Sequence, residues 1–432
     1  MKNSIIPKRI ENIIMNALQG GVVPRTGLGY IAVGREQEIT TLLKDVEIVE
    51  NGGATFRFVS GTYGSGKTFL LQTIKEYAMA KGMIVADADL SPNRSLIGSS
   101  NRKKGLATYR ELMCNLSIKT SPTGSALGKI LDLWLNMIWI DVAKNIGQGG
   151  IQGNALEEMV TNKIYETILD MQEMVHGYDF ANILVMYWKA SRVNDAEIKA
   201  KTLRWLRGEY NTKTEAKQDL GVSNIINDDD WYEYIKLFSN FFVKIGYKGF
   251  IVIIDELINI YKCKSPVARN NNYEKILAMY NDTMQGKARY LGIIMGGTPQ
   301  SIEDVNRGVF SYEALKSRLE SGKYGTNKMI NLMTPIIRIM PLTKEEIIVL
   351  LEKLAEIHAD LYDYELKITI EDIIDFIEEA IQGEKNVTPR SIIRDFIEVL
   401  NLFYQNYNLS IKDIMNAFKY SDDVEDVQEI EE

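Results

Sequence analysis

The chain has 432 residues, of which 45% are hydrophobic and 25% charged, with a formal net charge of -8 at pH 7. That length admits two or three domains, and the balance is that of a globular protein, not of a disordered chain or a general nucleic-acid coat. The sequence holds 2 cysteines and 2 histidines, too few and too scattered for a disulfide framework or a histidine-rich metal site. No N-terminal apolar run follows the first basic residues, as a signal peptide would have, and no stretch reaches the ~20 apolar residues of a membrane span, so the expectation is no membrane and a cytoplasmic location.

In chain order, residues 2–20 carry apolar side chains at helical spacing and stop at Gly20-Gly21. The stretch that follows places Tyr30, Ile31, Val33 and Gly34 just ahead of the first strand, where such an element closes over an adenine ring. Gly34-Arg35-Glu36 then leads into an amphipathic helix. Phe58–Leu71 reads FVSGTYGSGKTFLL, a buried strand, a glycine-rich turn and a helix start. Its Gly61–Thr68 portion fits G-x-x-x-x-G-K-S/T, the phosphate-binding loop. The order has a physical reason. Gly61, Thr62, Tyr63, Gly64, Ser65 and Gly66 can curl their backbone N–H groups around phosphate oxygens, and glycine leaves room for the close approach. Lys67 would reach the outer phosphates and the Thr68 hydroxyl would hold Mg2+. Phe69 continues the helix, whose positive dipole end faces the same anion.

Gly82–Leu90 is a second strand ending in Asp87 and Asp89. After it, Arg94, Arg102, Lys103, Lys104 and Arg110 form a basic island in an acidic chain, suited to DNA phosphates or to an acidic partner, and a helix is expected from about Ala107. Residues 120–245 read as almost wholly helical, with aromatic and Met positions at core spacing. Lys248–Tyr261 then runs FIVII straight into Asp255-Glu256, the pattern of a central parallel strand with acids at its ligand-binding end. Another strand leaves through Gly296-Gly297-Thr298, and a last strand precedes Thr343 and Glu346, which fit a capping box. The remainder is helical, broken at GEKNVTPRS, and ends in the acidic tail.

This alternation predicts an α/β fold with a parallel sheet flanked by helices. Asp255 would bind Mg2+ with Thr68, and Glu256 would act as general base on the attacking water. Thr298 would meet the γ-phosphate or that water. Arg318 is the candidate arginine finger toward a neighbouring subunit, with Arg307 as rival. Arg390, with Arg394 as rival, would reach the γ-phosphate from a helical lid. ATP is expected, not GTP, because no N-K-x-D guanine-reading motif occurs. The expected domains are an N-terminal arm 1–33, a first core segment 34–119, a helical insertion 120–245, a second core segment 246–341, a lid 342–420 and an acidic tail 421–432.

The order of phosphate loop, acidic strand end, polar strand tip, S-R-L, P-L-T-x-E-E and T-P-R resembles the AAA+ ATPases over about 30–80 and 245–415. The strings VPRTGLGYIAVGRE, GTYGSGKTFLL, ADLSP, KGLATYREL, GGTPQSIED and RGVFSYEALKSRL more narrowly resemble the BrxD-type ATP-binding proteins of bacteriophage exclusion (BREX) systems. The resemblance implies an AAA+-like P-loop fold with a large helical insertion and a C-terminal helical lid. It also implies an ATPase of a bacterial anti-phage system that works with other proteins of its locus, as a homo-oligomer or not, and with DNA through the assembly or through Arg94–Arg110. The competing readings are a nucleotide-gated switch of the STAND kind with little turnover, and a direct DNA-binding loader. Lys67 and Asp255 stand further apart than a minimal AAA+ core needs, which is why 120–245 is read as an insertion.

Overall fold

Five strands form one sheet in the order β2-β3-β4-β1-β5: β1 is Ala54–Ser60, β2 Ile84–Asp89, β3 Phe250–Asp255, β4 Leu291–Gly297 and β5 Ile336–Arg338. The pairs β1/β4, β3/β4 and β2/β3 are all parallel. The computed structural model describes residues 6–98, 103–146, 154–171, 177–320, 331–383, 388–406, 409 and 412–414. The acidic tail, Arg102 and His176 lie outside them. The chain divides into two compact units, Met1–Ile39 with Gly61–Thr73 and Arg338–Glu432, and Thr40–Ser60 with Ile74–Ile337. We call them the loop unit and the sheet unit.

In the sheet unit every residue of β3 and β4 is buried, as a strand covered on both faces requires. Arg57 on β1 holds Asp45 through two hydrogen bonds of 2.6 and 2.8 Å and donates to the Thr334 carbonyl at 2.7 Å, anchoring the strand to its flanking segments. The 120–245 region is mostly helical where described, from Leu127–Ile146 to Trp231–Lys244. Its core is aromatic, with Trp134 edge-on to Phe241 at 5.0 Å and Phe180 edge-on to Phe238 at 5.1 Å. Phe242 meets Phe250 of β3 at 5.1 Å, so these helices share one hydrophobic core with the sheet. The helix expected near Ala107 starts earlier, at Lys104. Among the described residues no helix is long and apolar enough to cross a membrane.

In the loop unit the helix Lys8–Gln19 packs with helices Lys344–Tyr362 and Pro389–Gln405 around Ile14, Met15, Leu354, Phe396 and Leu400. Val33 and Phe69 lie against the same cluster. Reciprocal capping bonds start three of its helices: Thr343 with Glu346, as the sequence suggests, Thr369 with Asp372, and Thr388 with Ser391. Helices from the early and late parts of the chain therefore build one core, an association that no local pattern encodes.

Candidate functional site

The Gly61–Thr68 loop lies in the loop unit and runs directly into the helix Lys67–Ala80. Gly64 and Gly66 have φ of 79° and 87°, the left-handed region that a side chain makes costly. At Gly64 there is no space either, since an added Cβ would stand 2.9 Å from Thr388. Lys67 is buried, and Ser65 is buried with an Oγ that meets no hydrogen-bond partner. An orphaned hydroxyl in a glycine turn at a helix N-terminus is a donor set suited to a phosphate chain, so the residues present fit a nucleotide's phosphates.

Three further groups converge on this loop within the same unit. Thr388 caps the helix Pro389–Gln405 and stands against Gly64. Arg390 places its guanidinium 5.9 Å from the ring of Tyr63, a cation–π contact at the open side of the loop. Arg394 instead pairs with its neighbour Asp395 at 3.2 Å, so of the two rivals it is Arg390 that reaches the loop. Gly34, with φ 69°, is packed against Glu346, whose carboxylate fills the space a Cβ would need. Arg35, which belongs to no site motif in the sequence, donates to the Ser65 carbonyl at 2.9 Å and the Met340 carbonyl at 2.7 Å. Burial draws its pKa below the usual value, opposed by Glu38 and Glu346.

The acids belong to the sheet unit. Because the sheet is parallel, Asp89 ending β2 and Asp255 ending β3 are register partners at one edge of the sheet. Asp255 is buried and accepts the Glu256 N–H at 2.7 Å. Glu256 itself has φ 64°, a strained backbone for a residue with a Cβ. Asp87 is ion-paired to Lys75. Asp89 has its pKa pushed up to about 6, by burial first and then by Asp255, Asp87 and Glu256, against a smaller opposing pull from Arg94. Asp89 is a member of this edge that the sequence showed as an acid but could not place, because strand order is not written locally. Among the described residues no group of three or more His, Cys, Asp or Glu side chains is arranged to hold a metal ion by itself.

The other candidates in the sheet unit have structural attachments. Thr298 caps the helix Pro299–Glu303, its hydroxyl accepting from the Ser301 N–H at 3.2 Å. Arg307 donates to the carbonyls of Tyr261 and Cys263 and lies over the Tyr261 ring. Arg318 is exposed and donates to Ala314 of its own helix at 2.6 Å. In the basic island Arg94 pairs with Glu111 at 3.0 Å, while Lys103 and Arg110 donate to the carbonyls of Asn211 and Gly208.

No curated protein matches the chain. A family model does, over residues 6–419, nearly the whole length. A parallel α/β sheet of the P-loop NTPase type, a glycine loop fitted to phosphate and this match agree: the chain belongs to the BREX system ATP-binding protein BrxC/D family.

Proposed function

We propose that this protein hydrolyses ATP and couples hydrolysis to assembly or remodelling of a BREX anti-phage complex on DNA, with other proteins of its locus as partners. The observation that carries the reading is the Gly61–Thr68 loop, whose left-handed glycines and unpartnered Ser65 hydroxyl suit a bound triphosphate. Lys67 would neutralise the outer phosphates. Val33 and Gly34 would line the base, and Arg390, released from Tyr63, would reach toward the γ-phosphate. Thr68 and Asp255 are the proposed magnesium ligands. Magnesium, when bound, offsets charge on the phosphates as the terminal bond breaks. Glu256 would orient and deprotonate the attacking water, a role that accounts for a strained glutamate where a glycine would sit at ease. Thr298 would hydrogen-bond the same water or phosphate, and Arg318 would act on a neighbouring copy.

The test compares the parent with Lys67→Ala and Glu256→Gln for ATP binding and phosphate release. Lys67→Ala should lose both. Glu256→Gln should keep binding and lose release; release at the parental rate would remove Glu256 from the role of base.

A second reading, the nucleotide-gated switch with little turnover, is favoured by one observation: the Thr298 hydroxyl and the Arg318 guanidinium are engaged within their own helices. Arg318→Ala separates the two. A rate lost and then restored by mixing with Glu256→Gln protein supports a finger in trans, whereas an unchanged rate at every protein concentration supports the switch. Direct DNA loading through Arg94–Arg110 has less support, because Arg94, Lys103 and Arg110 have partners inside the chain. It predicts a DNA affinity that falls steeply with salt.

A further inference from the structure

Arg35 has no part in the chemistry proposed above, yet its side chain is 5% exposed and its guanidinium is shared between two backbone carbonyls. Resting on the reading of Gly61–Thr68 as the phosphate site, we propose that Arg35 is a positioning residue that presets this loop by holding the Ser65 carbonyl away from the phosphates.

The argument starts from the peptide unit. In a trans peptide the C=O and the following N–H point in opposite directions. Fixing the Ser65 oxygen on Arg35 therefore fixes the Gly66 N–H on the opposite side. Ser65 lies between Gly64 and Gly66, both at positive φ. Glycine tolerates either sign of φ, so the Ser65–Gly66 peptide has little local reason to keep one orientation. A flip would turn an oxygen toward the phosphates where a donor is wanted. The charge-assisted bond at 2.9 Å from Arg35 Nη2 opposes that flip.

The guanidinium is itself held in place. The same Nη2 donates to Met340 at 2.7 Å, on the segment between β5 and the capping box of Thr343 and Glu346, and Nη1 lies 3.6 Å from Glu38. Just before Arg35, Gly34 turns at φ 69° against the Glu346 carboxylate, a conformation that a residue with a Cβ would adopt only at a cost. Arg35 thus joins three segments of the loop unit: the arm proposed to meet the base, the loop proposed to meet the phosphates, and the lead into the helix Lys344–Tyr362.

The experiment titrates ADP, ATP and inorganic tripolyphosphate into the full chain by calorimetry, for the parent, Arg35→Lys and Arg35→Met. Arg35→Met should weaken all three by about 10- to 100-fold, the scale of one hydrogen bond to a charged group. Arg35→Lys keeps the charge but not the planar guanidinium that sets Nη2 on both carbonyls while Nη1 faces Glu38, and should lose at least about threefold. KM for ATP should rise in step, with kcat at saturation within about threefold, and without nucleotide the Arg35→Lys unfolding midpoint should stay within a few degrees of the parent. Should Arg35→Met not fold, Arg35→Lys is judged by the same criteria. Binding of ADP and tripolyphosphate at parental strength in a folded variant overturns the proposal, and so does a loss confined to ATP, which would make Arg35 a γ-phosphate reader. A parent that binds none of the three overturns the phosphate-site reading itself, and this proposal with it.

Discussion

In the Gly61–Thr68 loop the left-handed backbone falls on Gly64 and Gly66, whereas at the end of β3 it falls on Glu256. The charges differ in the same way. Around the loop stand Arg35, Lys67 and Arg390 with an unpartnered hydroxyl. At the sheet edge stand Asp87, Asp89, Asp255 and Glu256, answered by Lys75 and Arg94. A glycine adopts positive φ at no steric cost, so the loop is open to phosphate without stored strain. A glutamate there costs about 1–2 kcal/mol, and the Asp255 side chain that accepts its N–H helps to hold it. The proposed role of Glu256 as base gives its carboxylate a task at a position that backbone preference disfavours, while the loop's glycines only make room.

The sharpest way to break this comparison is Glu256→Gln, which leaves the backbone as it is and removes only the proposed base. Phosphate release should fall by about 10²–10³-fold, with ATP affinity kept within a few-fold. Next is Gly64→Ala. It puts a Cβ at positive φ and against Thr388, so ATP affinity should drop by about tenfold and stability to urea by about 1–2 kcal/mol. Smaller still, and opposite in sign, is Glu256→Gly. Relief of left-handed strain exceeds the added freedom of the unfolded chain, so stability to urea should rise by roughly 0.5 kcal/mol while hydrolysis is lost. A loss of stability would mean that Glu256 is kept for packing and not for chemistry.

The smallest expected effect concerns the loop unit alone. His358 is buried, with Nδ1 2.9 Å from the Tyr364 hydroxyl and Nε2 3.2 Å from Asn401 Oδ1. Burial lowers its pKa below the usual 6.5, with the Asn401 bond opposing. A folded-state pKa below the unfolded one means that this stability is fully present above about pH 6.5 and is lost as pH falls through the folded value. His358→Gln should flatten that slope between pH 7.5 and 5, measured by thermal unfolding without nucleotide.

Much of the candidate site is legible in the sequence because its signals are local. The loop needs consecutive amides, so Gly61–Thr68 is one contiguous motif, and the FIVII run into Asp255-Glu256 marks a doubly covered strand end. Capping at Thr343 and Glu346 was likewise readable, since it spans a single helical turn. Arg35 was not readable as a support of the loop, because a hydrogen bond to a backbone carbonyl leaves no trace in the identity of the residue that owns it. Thr298 and Arg307 look in sequence like free site groups, and the fold engages them as a helix cap and a turn anchor.

The sequence by itself determined the glycine loop, the acidic strand end, the parallel α/β class and the resemblance to one family, because each depends on neighbouring residues or on a two-residue or 3.6-residue period. Only the tertiary structure decided that Asp89 pairs with Asp255, that Arg35 grips Ser65, that Arg390 rather than Arg394 meets Tyr63, and that the helix Lys8–Gln19 shares a core with Pro389–Gln405. Those are contacts between distant segments. Strand order and helix packing set them by burying apolar surface, a force without direction that any single stretch of chain satisfies in many ways.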